Sequence, residues 1–152
     1  MNELTQDQKD LITEFLTIHL NAYTVILFGS AAKGNLRQDS DIDLAILTEH
    51  LYGPYELFMA AQELADKLNR DVDLVDFKQA STVFQAQIVG NAVLLYDSKP
   101  DQRQNLFMRA LKEYTMLNEE RHEILIRINT TPNSGGEKEI DKGYNPKQNG
   151  DH

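Results

Sequence analysis

The apolar positions of this chain switch repeatedly between two rhythms. Leu11, Ile12, Phe15, Leu16 and Leu20 recur at helical spacing, which predicts a first helix with one buried stripe. Thr5 and Gln8 precede that stripe with the separation of a capping box, and Asn21-Ala22 interrupt it. Residues 23–28 are then unbroken, β-branched and aromatic, which suits a strand buried on both faces. Gly29-Ser30 end the strand, and residues 31–33 allow one or two helical turns before Gly34-Asn35. A polar loop follows, and residues 41–47 form a second predicted strand. Pro54 suits a helix start, ahead of an amphipathic stripe of Leu57, Phe58, Ala61, Leu64, Ala65 and Leu68. Residues 71–77 predict a third strand. Ser81 caps a short helix bearing Val83, Phe84, Ile88 and Val89, and residues 92–96 make a fourth strand. A long last helix fits residues 101–128.

The predicted order is α-β-α-β-α-β-α-β-α, which normally means an α/β fold with a parallel sheet. One pair argues otherwise. Parallel crossovers need a dozen or more residues, and the link between the first two strands holds only a stub of helix. An antiparallel first pair, and hence a mixed sheet of about four strands flanked by helices, is the α/β (α+β) architecture expected.

Composition narrows the function. One domain over residues 1–128 is expected at this length. Residues 129–152 are Gly, Pro, Asn, Lys and Glu with almost no large apolar side chain, so a disordered polar tail is expected there. The formal net charge is −9, which offers no general field for nucleic acid. There is no cysteine, which removes disulfides, zinc-thiolate sites and thiol nucleophiles. No signal peptide and no bilayer-length apolar run are read, so a cytoplasmic location is expected, with neither membrane nor direct nucleic acid as partner.

The candidate chemistry lies between the first two strands. Gly29-Ser30 are followed, after ten residues, by Asp41-Ile42-Asp43. Residues two apart on a strand share a face, so Asp41 and Asp43 point the same way, an unfavourable pairing without a cation. Asp73, between Val72 and Leu74, is the candidate third acid; Asp71 and Asp76 are the alternatives. Three carboxylates beside phosphate oxygens suit magnesium. Gly29 permits close approach of a phosphate to backbone N–H groups, and the Ser30 hydroxyl adds a donor. Lys33 and Arg37 are candidate phosphate-binding cations, each weighed evenly against a solvated surface charge. His19, His50 and His122 lack metal-ligand spacing with one another.

The string Gly29-Ser30, ten residues, Asp41-Ile42-Asp43 resembles the signature of the polymerase-β-type nucleotidyltransferase superfamily. Lys33-Gly34, Arg37 and residues 39–44, with Val72-Asp73-Leu74-Val75, resemble its minimal branch, and most closely the MntA-type antitoxins paired with HEPN ribonuclease toxins. The resemblance spans roughly residues 23–96. It departs at Ala31, where many relatives carry Arg.

The resemblance implies a polymerase-β-like fold and a site with two Mg2+ ions. Asp41 and Asp43 would bind both ions, and Asp73 would complete the set. ATP would be the co-substrate, its triphosphate held by Gly29 and Ser30. The implied activity is transfer of AMP to a tyrosine hydroxyl of a HEPN toxin, which silences it. No arginine here has a histidine five to seven positions downstream, so a HEPN toxin would be a separate chain. The rival readings are an antibiotic-type small-molecule nucleotidyltransferase and a non-catalytic antitoxin acting by binding alone.

Overall fold

The computed structural model describes residues 3–37 and 39–129, with side chains through residue 120; the expected tail lies almost wholly outside the described residues. The elements are α1 (Gln6–Leu20), β1 (Thr24–Phe28), α2 (Gly29–Ala32), β2 (Ile42–Leu47), α3 (Pro54–Leu68), β3 (Val72–Asp76), a short 3-10 turn (Phe77–Gln79), α4 (Thr82–Gly90), β4 (Val93–Asp97) and α5 (Pro100–Asn129). The predicted boundaries hold to within a residue or two. So do the caps. Thr5 and Gln8 make the reciprocal box, Pro54 occupies the first turn of α3, and Ser81 Oγ accepts from the Phe84 N–H. Asn21 and Asn69 close α1 and α3 in the left-handed conformation, a role asparagine fills at little cost.

The four strands form one sheet in the order β3-β2-β1-β4. β1 is antiparallel to both β2 and β4, while β2 and β3 are parallel. This is the mixed sheet expected from the short link between β1 and β2. The parallel pair has what that link lacks, a full crossover helix, α3.

Alternation along each strand builds two apolar layers. Val25, Leu27, Ile42, Leu44, Ile46 and Leu74 face α1 and α3, meeting Ile12, Phe15, Leu16, Ala61, Leu64 and Leu68. Ile26, Phe28, Ala45, Leu47 and Phe77 face α4 and the start of α5, meeting Ile88 and Ala110. Every residue of β1 is buried, so the strand that leads into the Gly-Ser turn is fixed from both sides.

One predicted core position is not core. Phe58 continues the apolar stripe of α3 but is 57% exposed, while its neighbours Leu57 and Ala61 pack onto the core. The chain divides after Lys112 into a second compact unit, in which α5 continues to Asn129.

Candidate active site

β1 delivers the chain to Gly29 with φ +72°, a conformation that only glycine adopts freely. Space also requires glycine: a Cβ there would lie 2.2 Å from Asp43 Oδ2. The Asp43 carboxylate therefore rests on the bare backbone of the turn. The contact follows from strand register, since Phe28 pairs with Asp43 across the antiparallel ladder.

On its other side Asp43 pairs in register with Asp73 of β3. Asp41 lies just before β2, two residues back and so toward the same face. The three predicted acids thus lie toward the starting end of the β2–β3 pair, on the α4-facing side with Ala45 and Val75. Asp41 and Asp73 are exposed and Asp43 is half-buried. Burial pushes the Asp43 carboxyl up from its ordinary 3.8 to about 6, and the Asp73 and Asp41 carboxylates add to the rise. A half-buried carboxyl repelled by two like charges is a site that favours a cation.

Oxygen donors of this kind suit magnesium, and their mutual repulsion is what a divalent ion would relieve. As placed, the side chains do not converge: among the described residues no three His, Cys, Asp or Glu groups stand close enough together to hold a metal. The fit is therefore one of donor chemistry and of face.

A polar cavity of about 570 Å³ is lined by Ser30, Asn35, Arg37, Asp39 and Ser40. Ser30 and Arg37 are brought together there as expected. Lys33 is not. It is exposed and lines neither this cavity nor the one beside Asp41 and Asp73, because α2 stops at Ala32 and Lys33 serves as its backbone cap. Of the alternative acids, Asp76 is buried and spoken for: Oδ1 accepts from the Lys78 N–H and Oδ2 from Gln79 Nε2. Asp71 contributes its backbone carbonyl, which accepts from the Ile42 N–H at 2.9 Å.

Sequence reasoning missed Arg70. Its guanidinium donates to the carbonyls of Arg37 and Ser40, strapping the loop between the Gly-Ser turn and Asp41 to the start of β3. Within that loop the Arg37 N–H donates to Ser40 Oγ and the Ser40 N–H to the Arg37 carbonyl. The only signal in the sequence was an arginine just past the end of α3, two residues before β3.

Residues 10–101 match the family described as polymerase beta, nucleotidyltransferase. The chain belongs to the polymerase beta nucleotidyltransferase family, in its MntA-type branch. It is 36% identical over 102 residues to the protein adenylyltransferase MntA of Shewanella oneidensis, covering 66% of this chain and 72% of that protein. Among solved structures it is similar to one described as a toxin-antitoxin with AMP-PNP, at TM-score 0.71 and 30% identity over 79% of this chain and 97% of that one. It is also similar to the structure of a tri-AMPylated Shewanella oneidensis HEPN toxin in complex with MNT antitoxin. There the TM-score is 0.68 and identity is 28%, over 84% of this chain and 98% of the other. The polymerase-β-like fold expected from the signature string is the fold observed.

Proposed function

We propose that this chain transfers AMP from ATP to a tyrosine hydroxyl of a HEPN ribonuclease toxin and thereby neutralises it as an antitoxin. The observation that carries the reading is the three-strand register that seats Asp43 between the Gly29 turn and Asp73. Asp43 against the Gly29 backbone and in register with Asp73 supports a site for phosphate and cation. Similarity to a protein adenylyltransferase and to antitoxins solved with AMP-PNP and with an AMPylated toxin supports the donor and the acceptor.

In this reading Gly29 and Ser30 hold the triphosphate, with Arg37 adding charge from the loop. Lys33 has a weaker claim, since it caps α2 from the solvent side. Asp41, Asp43 and Asp73 would hold Mg2+, two ions in the family's manner. Bound there, the metal would polarise the phosphate oxygens and offset charge on the leaving pyrophosphate. The residues themselves position: the turn orients the phosphates, and the acids keep an anionic pocket ready for cation and nucleotide together. An intact acid trio is more than a protein acting by contact alone would need.

Incubation with ATP, magnesium and the cognate HEPN toxin tests this by intact mass. The expected result is a toxin heavier by whole AMP units and inactive as a ribonuclease. An unmodified toxin that is nonetheless inhibited would point to neutralisation by binding.

A further inference from the structure

A second cavity adjoins the acids, of about 500 Å³, with Asp41 and Asp73 in its wall. The rest of its lining differs in kind from that of the polar cavity at Ser30 and Arg37. Leu57, Phe58 and Ala61 come from α3 and Phe84 from α4, a mainly apolar wall that also carries Gln62, Asp76 and Gln79, whereas the first cavity is lined by polar residues throughout. It runs along β3, an edge strand of the sheet.

Sheet order gives the two cavities a direction. Gly29 and Ser30 follow β1, Asp43 is on β2, and Asp73 is on β3, farthest from the turn. Displacement at phosphorus is in line, with nucleophile and leaving group on opposite sides. With pyrophosphate leaving toward Ser30 and Arg37, the nucleophile must arrive over Asp73, from the side where the apolar cavity lies. The flank of that cavity is also uncovered: Phe58 is 57% exposed, with Tyr55 at 73% and Met59 at 47% on the same helix. Clustered exposed apolar side chains beside a cleft are the mark of an interaction surface.

We propose that this cavity is the acceptor subsite, taking the ring of a tyrosine presented by the partner protein against Phe58, Leu57 and Phe84 with its hydroxyl at Asp73. The assignment rests on the AMP-transfer reading above. Tyrosine suits the lining because it has an apolar body and a polar tip. In the step, the tyrosine oxygen forms a bond to the α-phosphorus of ATP. The bond from that phosphorus to the bridging oxygen breaks, pyrophosphate leaves, and the phenolic proton passes to solvent.

Phe58→Ala tests the assignment, since a side chain this exposed contributes little to folding. Full-length wild type and variant are assayed with ATP, magnesium and the purified cognate HEPN toxin, and AMP-PNP affinity is measured by calorimetry. The expected loss in kcat/KM for the toxin is on the order of tenfold. AMP-PNP affinity stays within about twofold, and Phe58→Leu recovers most of the rate. Transfer by Phe58→Ala at the wild-type rate overturns the proposal. So does a parallel loss of AMP-PNP affinity, which would give the cavity to the nucleotide base. A wild-type protein that transfers nothing to the toxin overturns the transfer reading itself, and the acceptor subsite with it.

Discussion

At the residue scale the site is a carboxylate held where it is uncomfortable. Asp43 is half-buried, beside two like charges, with its titration moved up to about 6. The sign of the consequence follows from linkage. A carboxyl whose folded pKa exceeds its unfolded one stabilises the fold while protonated. That contribution is complete below about pH 4 and is lost as pH rises through about 6. A rise of this size would be worth roughly 3 kcal/mol for a fully buried group; half-exposure and solvent screening reduce it to about 1 kcal/mol. Asp43→Asn is therefore predicted to be more stable than wild type by about that amount at pH 7.5 in EDTA. The gap should close below pH 4, as urea denaturation at the two pH values would read. Gly29→Ala has the opposite character. It strains a φ of +72° and drives a methyl into the Asp43 carboxylate, so it should cost about 1–2 kcal/mol and lower transfer at least tenfold. A Gly29→Ala variant with wild-type melting and rate would show that the close approach is not required.

At the element scale, what could be read in advance was whatever the chain encodes locally. Alternation gave the strands, the 3.6-residue stripes gave the helices, and Thr5, Pro54 and Ser81 marked helix starts through side-chain chemistry that acts within a turn. The antiparallel sense of β1 and β2 followed from the shortness of their link. Three things did not follow. Phe58 has the right period for the core, but period does not say how wide the buried stripe of a helix is, and Phe58 lies outside it. Lys33 is close to Ser30 in sequence, yet it stands exposed as the backbone cap of α2 and lines neither cavity. Arg70 reaches back 33 positions to the Arg37 carbonyl, and no local pattern announces such a contact. Its removal is predicted to loosen the loop bearing Arg37 and Asp41. Arg70→Ala should raise the KM for ATP several-fold and cost about 1–2 kcal/mol of stability, with Arg70→Lys intermediate. Unchanged ATP kinetics in Arg70→Ala would make the strap purely structural.

At the scale of the whole molecule, a nucleotidyltransferase core accounts for most of the described chain. Residues 10–101 carry the family match, and one of the two cavities has Asp41 and Asp73 in its wall. The net charge of −9 gives no broad attraction for polynucleotide, which agrees with a protein acceptor. Among the described residues no helix is long and apolar enough to cross a membrane. The acids were recognisable as a set because spacing along one strand and register between two strands are both regular. Whether their carboxylates converge on one point could not be read from spacing. It depends on side-chain rotamers, which respond to the charge placed among them.

The central claim is that Asp43 is part of a transferase site and not a charged edge of the sheet. Intact mass of the cognate HEPN toxin, after incubation with ATP, magnesium and either wild type or Asp43→Ala, tests it most directly. The account predicts a gain of whole AMP units with wild type, and none with a variant that is folded by circular dichroism. Substantial AMP transfer by Asp43→Ala would contradict it.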